Sequence, residues 1–285
     1  MEKFNLKTNL GNDIVAVLQN KELIYGVTAI MIGLKTPYYE CYKEGLIENE
    51  YVIHPLTNEK LDIIAVDNKE LENNAVMMVP AHIQLHFDLA KKYNLKFKQV
   101  VAPYFLGKDN EAIRQDVETQ FRRSIIAVVK DNDKYLCVRA KKRLCQSFVM
   151  GGIEGNESLE EAMLREVLEE TGYSNIRVTY TSLFVLHNHF YAEYKGVNRY
   201  AHLYVVFGEL IDNERQELSD EEKEKQSALW LTRNELKDFL TVNNNIFVYE
   251  NLLDGDKGLD IDGIMINSKE YNGKMRSEIQ VWLVF

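Results

Sequence analysis

Three glutamates carry the chemistry this sequence can do. Glu169 and Glu170 lie three and four residues after Glu166, a spacing that sets all three carboxylates on one face of a helix. Like charges gathered this way repel, so the cluster does not serve stability. A hard divalent cation relieves the repulsion, because Mg²⁺ and its relatives take carboxylate oxygens. The metal would bridge phosphate oxygens while a carboxylate takes a proton from attacking water.

A helix with defined ends must hold these groups. Ser158 followed by Glu161 reads as a capping box, and Gly172 stands where a left-handed residue closes a helix. Leu159, Met163, Leu164, Val167 and Leu168 form an apolar face to dock it. In front runs a turn containing Gly151, Gly152 and Gly155, where backbone can approach a ligand closely. The expected order is strand end, glycine loop, capped acidic helix.

The stretch Gly151–Tyr173 resembles the signature of the Nudix hydrolases. Gly151, Glu157, Arg165, Glu166, Val167, Glu169, Glu170 and Gly172 fall on its spaced positions, with Tyr173 where an aliphatic residue is usual. The resemblance implies an α/β/α sandwich around a mixed sheet, and Mg²⁺, or Mn²⁺, as cofactor. It assigns Glu166, Glu169 and Glu170 to metal or base duty, with Glu166 taken as the base. It also implies an Arg165–Glu157 ion pair that holds the loop on the helix, with Arg165 counted in the catalytic set. Glu154 matches a loop glutamate of the family, and Gly151 and Glu154 are expected to touch substrate. Met150 stands where a glycine carbonyl often meets metal, so its backbone carbonyl is the expected ligand.

The whole chain sets bounds. Its 285 residues suit one large or two ordinary domains, with 46% apolar and 27% charged residues, as in ordinary globular proteins. A net charge of −10 argues against general binding of nucleic acid or anionic membrane, leaving local basic patches and tRNA open. Cys41, Cys137 and Cys145 show no metal spacing. With no apolar stretch in MEKFNLKTNL, they point to reduced thiols in a cytoplasm. No apolar run is long enough to span a membrane.

Residues 1–115 read as β-rich α+β, with strands at Asp13–Leu18, Gly26–Ile32, Leu61–Val66, Ala75–Val79 and Gln99–Val101 and a helix at Ile83–Tyr93. His82 and His86 lie four apart on that helix, a zinc-capable spacing with no third ligand, so they read as structural histidines. Ile24–Thr28, His54–Glu59 and Ala75–His82 resemble the editing domain of leucyl-tRNA synthetases, which hydrolyses misacylated tRNA. The departures fall on the chemistry. The threonine-rich segment of that family is here Leu18–Leu23, and its two aspartates are Ile83 and His86. The scaffold is expected to persist without the editing reaction.

Asp109–Arg123 reads as a polar connector with helical character. Strands follow at Ser124–Val129 and Lys134–Arg139, then the basic run Arg139, Lys141, Lys142, Arg143. Arg139 is the expected phosphate contact. Beyond the signature helix, strands are expected at Arg177–His187 and Tyr200–Leu210, joined by a polar loop. Tyr191, Tyr200 and His202 are candidate stacking residues, and Glu224 a candidate further metal or base glutamate. Thr232 and Glu235 form a second capping box before a helix at Arg233–Leu240. Asp262–Gly273, with a short helix from about Lys274, again resembles the editing domain. The expected organisation is therefore an editing-like domain of 1–115 with 252–285, interrupted by a Nudix domain at 118–250.

The expected activity is metal-dependent cleavage of a diphosphate linkage in a nucleoside diphosphate joined to another group, with a small nucleotide-type molecule as substrate. Two rivals stand beside it. One is hydrolysis of aminoacyl esters or aminoacyl-tRNA by the editing-like part; the other is a non-catalytic nucleotide-binding module.

Overall fold

Apolar residues alternate along short runs in the first hundred residues, and each run becomes a strand with a buried row. The computed structural model describes residues 1–34, 43–68, 71, 75–141, 145–259 and, as backbone, 277–283. β1 (Glu2–Lys7) and β2 (Asp13–Leu18) form an antiparallel hairpin that buries Leu6, Ile14, Ala16 and Leu18. β3 (Ala29–Gly33) is buried along its whole length, as a central strand covered on both faces must be. With β4 (Gly45–Ile53), β5 (Lys60–Val66) and β6 (Ala75–Met78) they make a mixed sheet in the order β1-β2-β6-β3-β5-β4.

The expected helix is α1 (Gln84–Tyr93), stopped by Asn94 in the left-handed region at φ 51. His82 and His86 are buried against backbone. His86 Nδ1 accepts the Val79 N–H at 3.1 Å, and His82 Nε2 accepts the Val100 N–H at 3.3 Å. Burial pushes both imidazoles down to about 4. β1 and β4 were not anticipated from the sequence, and the strand expected at Gln99–Val101 begins at Val101 and runs on as β7 (Val101–Gly107).

The next elements are β8 (Thr119–Asp131), β9 (Lys134–Ala140), β10 (Gln146–Gly152) and α2 (Leu159–Thr171). Then come β11 (Ile176–Ala192), β12 (Val197–Leu210), α3 (Asp220–Lys225), β13 (Gln226–Thr232), α4 (Arg233–Phe239), α5 (Asn243–Asn251) and β14 (Ser277–Leu283). Their strands order as β13-β9-β10-β8-β12-β11-β7-β14. β8 and β12 pair in parallel over twelve residues, Asn198–Glu209 against Thr119–Lys130, and β7 and β11 also pair in parallel.

α2 covers one face of this sheet, where Ala162, Met163 and Val167 pack on Ile125, Ala127 and Val149. α5 covers the opposite face, with the Phe247 ring 6.0 Å from that of Phe105. Register places Phe105 and Ile125 on opposite faces, so the layering is helix, mixed sheet, helix. Both sheets are mixed and helices are few, the α+β character expected.

Two sequence expectations are corrected, and one helix is additional to them. The connector at Asp109–Arg123 is not helical beyond one 3-10 turn at Asp109–Glu111, because β8 already starts at Thr119. The polar loop expected after Ala192 shrinks to a 3-10 turn, Glu193–Lys195, closed by left-handed Gly196. α5 had no counterpart in the sequence reading. Lys142 and Arg143, Cys41, Asp262–Gly273 and the helix from Lys274 lie outside the described residues.

The chain divides into two units. One holds Met1–Val101 and resumes at Lys257, where the Leu259 N–H donates to the Ala81 carbonyl at 3.0 Å; the other is Ala102–Asp256. Residues 102–115, expected in the first unit, thus belong to the second, because β7 pairs with β11. In that second unit Cys137 is buried and its thiol is pushed up to about 12.

The capping box at Ser158 is present in both halves, with the Glu161 N–H at 3.1 Å from Ser158 Oγ and the Ser158 N–H at 2.8 Å from Glu161 Oε2. Ser158→Ala should therefore destabilise the protein by about 1 kcal/mol, seen as a lower midpoint in urea denaturation with unchanged slope.

Candidate active site

The glycine loop and α2 are joined by one guanidinium. Arg165 Nε and Nη2 grip Glu157 at 2.7 and 3.0 Å, and Nη2 also donates to the Gly152 carbonyl at 2.7 Å. Nη1 donates to Glu166 at 2.9 Å and to Glu169 at 3.2 Å. The ion pair with Glu157 is the one expected. It holds the Glu157 carboxyl down at about 2, helped by the Glu154 N–H. Glu154 contributes that N–H at 2.9 Å while its side chain is exposed, and Gly155 supplies the turn at φ 48.

The three glutamates differ in environment. Glu169 is about half exposed, Glu166 only 12% exposed along its side chain. Burial pushes Glu166 up, while Arg165 and then Arg122 oppose the shift. Glu170 is the most perturbed. Burial first, then Glu166, raise it to about 8, with Glu222 and Glu169 adding to the repulsion and Gln226 working against it. Its Oε2 is buried without a hydrogen-bond partner.

Gly151 and Gly152 are needed for close approach. A Cβ on Gly151 would lie 1.7 Å from the Glu166 carboxyl carbon, and one on Gly152 would lie 1.7 Å from Arg122 Nη2. The loop is thus a cradle in which a carboxylate and a guanidinium lie against bare backbone.

Among the described residues, no three His, Cys, Asp or Glu side chains are already drawn together as a metal cage. The donor set nevertheless fits a hard cation. Glu170 presents an orphaned buried oxygen, Glu166 lies in a glycine cradle beside it, and every candidate donor is oxygen. The residues that would hold it are Glu166, Glu169 and Glu170.

A cavity of about 310 Å³ opens beside Glu170 and Met150. The stretch Thr241–Asn245 is stitched to β10. Thr241 Oγ1 accepts the Gln146 N–H at 2.9 Å, and Asn245 Oδ1 accepts the Phe148 N–H at 2.8 Å. The Asn245 amide also donates to the Met150 sulfur at 3.0 Å.

The structure brings Glu166, Glu169, Glu170, Arg165 and Gly151 together and sets Met150 on the cavity wall. It does not bring Arg139 there. β9 alternates, so Val138 and Ala140 border the cavity while Arg139 is exposed with its guanidinium 5.3 Å from the Phe239 ring. Arg122 is a second cation at the loop, beside Arg165, and the sequence reading placed it in a connector. Glu224 is exposed; Glu222, half-buried, is the carboxylate that faces Glu170. Tyr191, Tyr200 and His202 do not border the cavity. Tyr200 and His202 pack in an aromatic cluster with His187, where the Tyr200 hydroxyl meets His187 Nδ1 at 2.7 Å. Tyr191 is buried under Arg114.

Two family models match the chain, and their stretches overlap at residues 120–128. Residues 120–251 match the family model of the NUDIX domain, and residues 31–128 match that of the leucyl-tRNA synthetase editing domain. The chain thus holds one stretch similar to the NUDIX domain and another similar to the editing domain. Leucine–tRNA ligase of Fervidobacterium nodosum is 46% identical over 74 residues, 25% of this chain and 8% of the ligase. That of Haemophilus influenzae (strain PittGG) is 46% identical over 63 residues, 21% of this chain and 7% of the ligase. The chain spans less than a tenth of the length of these relatives. Among solved structures, a NUDIX hydrolase from Nitrosomonas europaea has a TM-score of 0.37 at 22% identity, covering 50% of this chain and 95% of that one. A mutator MutT protein from Bacillus halodurans has a TM-score of 0.36 at 22% identity, covering 48% and 84%. No helix among the described residues is long and apolar enough to cross a membrane.

Glu170 gives the metal-free protein a pH signature. A carboxyl raised in the folded state binds its proton more tightly folded than unfolded, so its contribution is fully present below about 4.5 and is lost as pH rises through about 8. Stability of metal-free protein should fall across that window, and Glu170→Gln should flatten the fall. Chemical denaturation at pH 5, 7 and 8.5 in chelator checks this.

Proposed function

We propose that the second unit is a Mg²⁺-dependent hydrolase, with Mn²⁺ able to substitute, that cleaves a diphosphate linkage in a nucleoside diphosphate joined to another group. The observation that carries the reading is Glu170: a carboxylate with a buried, orphaned oxygen, next to Glu166 and at the mouth of a cavity. When bound, the cation offsets phosphate charge and acidifies water.

The chain's own residues do the rest. Glu166 accepts a proton from the attacking water, and burial, which raises its proton affinity, suits it to that role. Glu169 and Glu170 complete the oxygen donor set. Arg165 orients Glu166 and Glu169 and fixes the loop through Glu157. Arg122, at the loop, offers positive charge to the diphosphate in the place first given to Arg139. Water adds its hydroxyl to one phosphorus; the other phosphate leaves with the bridging oxygen and gains a proton.

The first unit offers no competing group at the two positions where the editing family has aspartates. Ile83 caps α1, and His86 is buried, accepting the Val79 N–H. We assign it the part of a scaffold into which the hydrolase is inserted, in a cytoplasmic protein.

Wild type, Glu166→Gln and Glu169→Gln should be compared with nucleotide sugars, dinucleotide polyphosphates, NADH, CoA, nucleoside triphosphates and aminoacyl-adenylate analogues in Mg²⁺. Turnover of at least one class by wild type, reduced about 10²–10⁴-fold by either substitution, is expected. Absence of metal-dependent turnover on every class, or robust deacylation of charged tRNA that survives Glu169→Gln, would overturn the reading.

A further inference from the structure

The cavity beside Glu170 is not walled by the NUDIX-matched stretch alone. Phe105, Gly107 and Glu111 border it, and all three precede residue 120, where that match begins. They lie instead in the stretch matched by the editing-domain model. A segment outside the hydrolase match therefore shapes the space in which the hydrolase's substrate would sit.

That segment is built to hold its position. β7 is locked to β11 by the pairs His187–Tyr104, Asn188–Phe105 and His189–Leu106. Gly107 then lets the following turn fold down onto the strands: a Cβ there would lie 2.2 Å from the Glu111 carbonyl oxygen and 2.8 Å from Phe190 Cβ. The residues after Glu111 are fixed by Asn198, only 1% exposed. Its Oδ1 accepts the Arg114 N–H at 3.1 Å, and its Nδ2 donates to the carbonyls of Arg114 and Val117 at 2.8 and 2.9 Å. The Arg114 guanidinium lies 3.6 Å over the Tyr191 ring. A mere surface connector needs none of these restraints, and their joint effect is to keep Glu111 at the cavity wall.

The lining has a distinctive chemistry. Among the described residues it contains no Lys, Arg or His; its charged members are Glu111 and Glu170. Phe105, Phe190 and Tyr194 supply flat apolar surface, and amides such as Asn188 and Asn244 supply both donors and acceptors. Flat apolar surface edged by amides suits the flat, neutral, polar-edged half of the substrate, a nucleoside. A carboxylate oxygen only accepts hydrogen bonds when ionised. At Glu111 it rewards a nucleoside that presents donors there and penalises one that presents a carbonyl or nothing.

We infer that Glu111, carried by the β7 turn ahead of the NUDIX domain, is a specificity-determining residue: it selects nucleoside moieties that present hydrogen-bond donors, either an exocyclic base amine or the sugar hydroxyls. This rests on the hydrolase reading for what the cavity is for, but its test does not depend on turnover.

The test is calorimetric titration of wild type and Glu111→Met with nucleoside monophosphates in Mg²⁺. The AMP/IMP and CMP/UMP pairs differ in the base amine, and AMP against its 2′,3′-dideoxy form differs in the sugar hydroxyls. Wild type should prefer the member that bears the exocyclic amine, or the one that bears the sugar hydroxyls, by about tenfold in at least one kind of pair, and Glu111→Met should bring that ratio to within about twofold. Loss confined to the base pairs assigns the contact to the amine; loss confined to the sugar pair assigns it to the hydroxyls. Equal ratios in wild type and variant, or no binding of any of these nucleotides by wild type, would overturn the inference. Turnover that is present with unchanged selectivity sinks this inference alone. Selectivity without turnover sinks the hydrolase instead.

Discussion

The site depends on the Arg165 guanidinium. Five donors in a rigid fork let one side chain bind Glu157 through two nitrogens, reach Glu166 and Glu169, and still hold the Gly152 carbonyl. Lysine carries the same charge but not the fork, so it could not join loop and helix this way. The geometry also works because Arg165 is only 22% exposed. With water largely kept off, the attraction is not screened away as it would be for a surface pair. What the guanidinium does is balance charge on one flank of a face that would otherwise push itself apart.

Glu170 lies outside that balance. It faces Glu166, Glu169 and Glu222, and its Oε2 is buried with nothing to bind. The protein keeps four carboxylates near one another while giving cationic partners to only some. In the absence of metal this is a standing destabilisation, tolerated because Glu170 can hold its proton near neutral pH. The conflict between local stability and side-chain choice is what marks the region as functional, since neighbouring positions on α2 obey the ordinary rules of capping and apolar patterning.

Those ordinary rules explain which parts were legible in the sequence. α2 was readable because its signals are local: Ser158 and Glu161 bond within one turn, and Gly172 takes φ 82 alone. α1 with Asn94, and Thr232 with Glu235, were readable for the same reason. Elements defined by distant partners were not. Thr119–Arg123 is a polar run with exposed and half-buried residues alternating, and nothing local says it continues β8; it is a strand because β12 pairs with it in parallel. Arg122 went unnoticed with it, and Arg139 was favoured for its place at the strand end, although strand alternation turns it away from Val138 and Ala140, which border the cavity. A count of strand parity from Val138 would have found that error. The Glu224 choice failed similarly, since spacing from Trp230 cannot tell which side of the short α3 faces the site.

The boundary between the units was hidden for a related reason. Sequence resemblance follows ancestry, and the editing-domain match runs to residue 128, well into β8. Packing instead assigns Ala102–Asp256 to the second unit. Between those limits, β7 pairs its backbone with β11 and sets the Phe105 ring against Phe247 of α5. A stretch whose relatives belong to one family has become an integral wall of the other. β7 enters the sheet of the second unit, so the cavity of that unit is walled in part by residues that precede the NUDIX match.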